Sequence, residues 1–425
     1  MMQQTRNPDI IPAMVQDLIK GMTEQAAVPR PLALHLAVQN LMFASSFSAW
    51  PSLKDGSLVW KDSLSPQARS LREKLQKVDA GAFADALGQE IKSRIERFAE
   101  GVNRFSSAAR PPAMPPLPVI WREGTTRLIH AAPKGGANAS PVILIPSLVN
   151  RAYILDLDPG HSLLRYLAGH GHDSYLVDWE APGETEAAFG IDHYVDRLER
   201  IRDDVHERTG QAPVIAGYCM GGNLALALAH RDPAKIRAMA LLATPWDFHA
   251  MPASATEMLA AMLPGLRQLI AACGNLPVDV IQAMFSSRDP GGVIRKFRRF
   301  AALKPDSAEA RAFVILEDWL NDGVPLTGPV ALECLDDWYV QNRPMQGTWR
   351  SGGSALDVTK LDVPALVVIP DHDTIVPPAS ARPLAEQLPR ATLVKANAGH
   401  IGMVAGSKAV ATLYEPLSDW IAALQ

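Results

Sequence analysis

The chain has 425 residues, 48% hydrophobic and 20% charged, which is enough apolar material for a large core and more than one domain and excludes disordered and fibrous classes. Its formal net charge of -4 offers no basic excess for a nucleic-acid partner. The three cysteines, Cys219, Cys273 and Cys334, are odd in number and far apart, which fits neither a disulfide framework nor a zinc site and points to a reducing cytoplasm.

Residues 1–12 lack a basic segment followed by a long apolar core, and no later stretch reaches the ~20 uninterrupted apolar residues of a membrane span, so a soluble chain is expected. Residues 1–105 read as a helical region, with apolar residues at helical spacing over 10–24, 31–48 and 65–105. Its apolar positions Leu32, Leu34, Leu36, Leu41, Met42 and Phe43 are assigned to the region's own core, with a partner or lipid-like surface as the second reading. Residues 106–118 are too rich in proline to continue a helix and are predicted as an extended linker and domain boundary.

Beyond the linker, residues 119–425 alternate strand and helix candidates. The strands are expected at 142–145, 174–177, 214–216, 239–243, 365–369 and 393–395, and the helices at 162–169, 193–209, 223–230 and 381–387. In the second helix Val195, Leu198, Ile201 and Val205 recur at three- and four-residue steps, and Gly210 is its stop. Regular alternation predicts an α/β class with a mostly parallel, doubly wound sheet covered on both faces. Strand character lapses over 245–361, where helical, Trp-rich sequence is predicted to form a lid.

Gly217-Tyr218-Cys219-Met220-Gly221-Gly222 follows a buried-strand candidate and precedes a Leu/Ala-rich helix. This is the context of the strand-to-helix turn in which an α/β-hydrolase presents its nucleophile, here a thiol in place of serine. A strained nucleophile between two close-packed segments needs flanking glycines, and Gly217 and Gly221 meet that need. The helix N-terminus also favours the reactive thiolate.

A thiol needs a base and a group to orient that base, both placed after late strands where loop ends converge. His400 follows the last strand candidate, and Asp371 and Asp373 follow the one before. The order Cys219, Asp373, His400 is that of the hydrolase fold, with the imidazole accepting the thiol proton and the carboxylate setting its tautomer. Spacing leaves Asp371 open as the acid, and His372 is read as a surface residue. The oxyanion would meet two backbone N–H groups, that of Met220 and, to within one residue, that of Val149 in the loop after the first central strand.

Asn150-Arg151-Ala152-Tyr153-Ile154-Leu155-Asp156-Leu157, Tyr175-Leu176-Val177-Asp178-Trp179-Glu180, the Cys219 turn and Gly399-His400-Ile401-Gly402 together resemble the polyhydroxyalkanoate synthase family over about 118–425. The resemblance implies Cys219 as nucleophile, His400 as base and Asp373 as the catalytic aspartate, since it precedes Ile-Val-Pro with one residue between. It also implies polymerisation of 3-hydroxyacyl groups from coenzyme A thioesters with release of coenzyme A, no metal or prosthetic group, and a homodimer or a helper subunit. The expected location is cytoplasmic, at polyester granules. No Gly-rich loop of the Walker or dinucleotide type appears, so nucleotide-dependent chemistry is not expected.

For such chemistry the lid must favour a hydroxyl over water, and Trp246, Phe248, Phe285, Trp319, Trp338 and Tyr339 supply an apolar composition, most of them as lid core. Trp246 is a candidate at the substrate. Arg295 and Arg298, in the densest basic cluster, are candidates for the coenzyme A phosphates, with a solvated helix face as the alternative. Two competing functions share the triad sequence: a cysteine hydrolase such as an intracellular polyester depolymerase or thioesterase, and a granule-associated binding protein without turnover.

Overall fold

A computed structural model describes residues 28–135 and 139–424; the expected helix at 10–24 lies outside them. The chain divides into two compact units, Met1–Pro111 with Gln282–Asn321, and Pro112–Ile281 with Asp322–Gln425.

In the first unit, helices run over Leu32–Ser48, Ser65–Leu75 and Ala80–Ser107. The expected run at 65–105 is interrupted because Asp79 caps a new helix, its carboxylate accepting from the Ala82 N–H at 2.9 Å. Leu36 and Phe43 enter the core as expected, whereas Leu41 and Met42 are exposed. A 17-residue helix that is apolar on several sides can bury only the stripe its neighbours cover.

The insertion expected as one lid over 245–361 does not stay together: its middle, Gln282–Asn321, groups with the N-terminal helices. The cause is a stripe on Gly292–Ala301, where Ile294, Phe297 and Phe300 share a core with Leu36, Phe98, Val102 and Phe105. Phe297 meets Phe98 and Phe105 edge to face at 6.1 and 5.6 Å. Three-residue spacing puts these rings on one side of the helix and the arginines on the other.

The second unit is built on an eight-stranded sheet. Its strands are β1 Val119–Glu123, β2 Thr126–Ala131, β3 Pro141–Ile145, β4 Asp173–Asp178, β5 Val214–Tyr218, β6 Ala238–Leu242, β7 Ala365–Pro370 and β8 Ala391–Ala396. They lie in the order β1-β2-β4-β3-β5-β6-β7-β8. The β1–β2 and β2–β4 pairs are antiparallel and the rest parallel. β3, β5, β6 and β7 are buried along their whole lengths, as a sheet covered on both faces requires, and so read as continuous apolar runs. β1 and β2 were not expected. Their sequences mix Arg, Glu and Thr with apolar residues, because β1 is a half-buried edge strand and their tight turn carries Gly124 at φ 54°.

Helix Ile191–Thr209 packs Val195, Leu198, Ile201 and Val205 inward and ends at Gly210 with φ 68°. Beneath it Arg197 is buried against Glu186 at 2.6 Å, an ion pair whose side chains are each 1% exposed. Glu186 also accepts from the N–H groups of Thr125 and Gly183. Among the described residues no helix is long and apolar enough to cross a membrane.

Candidate active site

Three side chains named from the sequence come together at the carboxyl ends of the parallel strands, where loops converge. β5 ends at Tyr218, and Cys219 follows with φ 55° and ψ -125°, a conformation that non-glycine residues rarely adopt. Helix Met220–Arg231 begins at the next residue. The turn holds this conformation through the Cys219 N–H, which donates to the Leu242 carbonyl of β6 at 2.8 Å. Glycine is obligatory on either side of it: a Cβ at Gly217 would lie 2.4 Å from the Gly221 carbonyl oxygen, and one at Gly221 would lie 2.0 Å from that of Ile145.

Asp373 lies three residues beyond β7 and His400 four beyond β8. The Asp373 side chain is fully buried. Its Oδ1 accepts from the N–H groups of Ile375 and Val376 at 2.8 Å each, and its Oδ2 meets His400 Nδ1 at 2.6 Å. Asp371 and His372 are exposed, so Asp373 is the carboxylate the imidazole reaches. With Nδ1 committed to Asp373, Nε2 is left to the Cys219 thiol, which hydrogen-bonds to the ring. Burial opposes charging the imidazole, but the sulfur and carboxylate on either side outweigh it and raise its pKa to about 10. The ring therefore favours its protonated form in the neutral range, between the Asp373 carboxylate and the Cys219 sulfur.

Tyr218 was not singled out from the sequence. Its ring lies 5.2 Å from that of His400, and its hydroxyl donates to the His400 carbonyl at 3.3 Å. Its place beside the nucleophile was the available signal. Met220, as the first helical residue, has no intrahelical acceptor for its N–H. Val149 lies in the loop after β3, its N–H turned toward Ser147 Oγ at a long 3.4 Å.

The remaining candidates fall elsewhere. Trp246 is 1% exposed, meeting Trp349 at 6.4 Å in an aromatic core with Phe248, Trp338 and Tyr339. The Trp246 indole, a candidate at the substrate, is thus buried against Trp349. Arg295 and Arg298 belong to the first unit, and the triad residues to the second. Arg295 pairs with Asp289. Burial lowers the Arg298 pKa, and neighbouring Arg94 and Arg97 lower it further. Phe285 and Trp319 likewise fall in the first unit. Among the described residues no cluster of three or more His, Cys, Asp or Glu could hold a metal ion.

The sequence matches the model of the alpha/beta hydrolase fold over residues 140–406 and that of the poly-beta-hydroxybutyrate polymerase N-terminus over 107–167. It is 29% identical to the poly(3-hydroxyalkanoate) polymerase subunit PhaC of Haloferax mediterranei, over 72% of this chain and 64% of that protein. It therefore spans just under two thirds of that relative's length. The subunit of the same name from Allochromatium vinosum is 26% identical over 79% of this chain and 97% of its own, and that of Cupriavidus necator 25% over 75% and 57%. The chain is thus similar to poly(3-hydroxyalkanoate) polymerase subunits, and it belongs to the alpha/beta hydrolase fold family.

Proposed function

We propose that this chain is a polyhydroxyalkanoate synthase-type acyltransferase that polymerises 3-hydroxyacyl groups from coenzyme A thioesters through a thioester on Cys219. The observation that carries the reading is the thiol, imidazole and carboxylate in contact on the nucleophile turn of a chain related to poly(3-hydroxyalkanoate) polymerases. His400 holds the thiol proton, and the Cys219 thiolate attacks the thioester carbonyl. The N–H groups of Met220 and Val149 receive the charge that develops on oxygen. As the tetrahedral intermediate collapses, the carbon–sulfur bond to coenzyme A breaks and the leaving thiolate takes the proton from His400.

Thioester exchange is nearly balanced in energy, so the acyl group on Cys219 stays activated. His400, now neutral, takes the proton from a 3-hydroxyl group as its oxygen attacks. The new ester forms, and the proton stays on the imidazole as the cysteine departs as thiolate. Every step runs on these side chains, with the coenzyme A thioester as substrate and the growing polyester as acceptor.

Purified protein incubated with 3-hydroxybutyryl-coenzyme A is expected to release thiol and deposit insoluble polymer, and Cys219→Ala to release none. Free 3-hydroxybutyrate in place of polymer would make the protein a hydrolase, and full release by the alanine variant would defeat the mechanism.

A further inference from the structure

The chain leaves the second unit at Ile281 and returns to it at Asp322. The first residues after that return are fastened to the loop that carries Val149. Asn150 and Gly323 form an antiparallel bridge, and the Val324 N–H donates to the Val149 carbonyl at 3.3 Å. The Asp322 carboxylate takes two further bonds, one oxygen from Arg151 Nε and the other from the Tyr153 hydroxyl, each at 3.3 Å. Arg151 is held from its other side by Glu180, which follows β4 and also pairs with Arg127. The start of the same loop lies against the nucleophile turn, since the Ile145 and Pro146 carbonyls are the atoms a Cβ on Gly221 would strike.

We propose that Asp322, with Gly323 and Val324, is a positioning element for the oxyanion loop. It fixes the orientation of the Val149 peptide toward the acyl carbon on Cys219. The proposal rests on the role given to Val149 in the proposed function. The Val149 N–H and the Val149 carbonyl belong to successive peptides, so a Val149 with an unanchored carbonyl could turn about its own backbone dihedrals and carry the N–H of the preceding peptide away from the developing charge. Here the Val149 carbonyl is tied to Val324 and Arg151 is tied to Asp322, so the loop is held immediately after the peptide that carries the Val149 N–H, which limits how far Val149 can turn. Glu180 supplies a fixed counter-charge behind Arg151. Asp322 touches neither the thiol nor the imidazole, so its removal should leave the Cys219–His400 pair as it is. Arg151 serves two acids at once, and the loss of Asp322 would remove the tie of its guanidinium to the returning segment.

The test compares Asp322→Ala, Asp322→Glu and the unaltered chain in two measurements. In steady-state coenzyme A release, Asp322→Ala is expected to lower kcat by about 10- to 100-fold with KM changed less than about twofold, because misplacing one donor weakens the transition state alone. Asp322→Glu should recover part of the loss by reaching the same two donors. Alkylation of Cys219 should proceed at the parent rate in both variants. In amide hydrogen exchange, which needs no turnover, the peptide covering residues 147–155 should exchange at least about tenfold faster in Asp322→Ala than in the parent.

Unchanged exchange in that peptide overturns the proposal whether or not the protein polymerises anything. So does a kcat within twofold of the parent, or a loss of turnover matched by an equal loss of alkylation. Faster exchange in a chain whose unaltered form releases no coenzyme A would instead uphold the clamp and defeat the proposed function.

Discussion

Replacing Asp373 by Asn is expected to cost about 10⁴-fold in kcat while leaving the fold intact, and the reason lies in how the carboxylate is held. Its Oδ1 accepts two backbone N–H groups at 2.8 Å, and its Oδ2 faces His400 Nδ1 at 2.6 Å. An asparagine of the same shape must give its amide oxygen to the two N–H groups, because a nitrogen there would set donor against donor. The NH₂ then points at Nδ1. That nitrogen must become the acceptor, the imidazole proton moves to Nε2, and the ring can no longer take a proton from Cys219. A 10⁴-fold loss corresponds to about 5.5 kcal/mol of transition-state stabilisation. The assay is thiol release from 3-hydroxybutyryl-coenzyme A, with Asp371→Asn as the control, since Asp371 is exposed and should tolerate the change. An Asp373→Asn enzyme within about tenfold of the parent, or a comparable loss in Asp371→Asn, would refute this account of the carboxylate.

Because the His400 pKa is raised to about 10, the imidazolium should persist throughout pH 7–9, and the His400 ring signals in an NMR pH titration should stay constant across that range. Ring signals that titrate near 6.5 would contradict the charge balance around His400. Burial raises the Glu333 carboxyl from 4.5 to about 7, against the hydrogen bond it accepts from Trp349 Nε1. Its folded-state value lies above its unfolded one, so stability falls as pH rises from 4.5 through 7. Glu333→Gln should therefore gain little near pH 5 and up to about 3 kcal/mol at pH 8 in denaturant melts; an equal gain at both would exclude ionisation as the cause. Arg197→Met leaves Glu186 charged and buried and should cost about 3–5 kcal/mol by the same melts, with a loss below 1 kcal/mol showing that water reaches the site.

Strand runs such as 365–369 and the turn around Cys219 were legible in the sequence because their causes are local. A strand buried on both faces must be apolar throughout, and a nucleophile squeezed between strand and helix must be flanked by glycine. The candidate base and its carboxylate could be placed after late strands for the same reason, although only the folded loop separates buried Asp373 from exposed Asp371 two residues away. Residues 282–321, Arg295 and Arg298 could not be placed this way. An amphipathic helix announces that it has a buried face but not which surface covers it, and the stripe of Ile294, Phe297 and Phe300 found its partners in helices some 200 residues earlier in the chain. Trp246 shows the same limit, since an aromatic residue after a strand serves substrate or core depending on what packs above it, and here Trp349 and its neighbours do. The sequence by itself determined the elements and the chemical groups at their ends; partner choice between distant apolar faces, and the hold of Asp322 on the Val149 loop, were decided by long-range packing that no local pattern encodes.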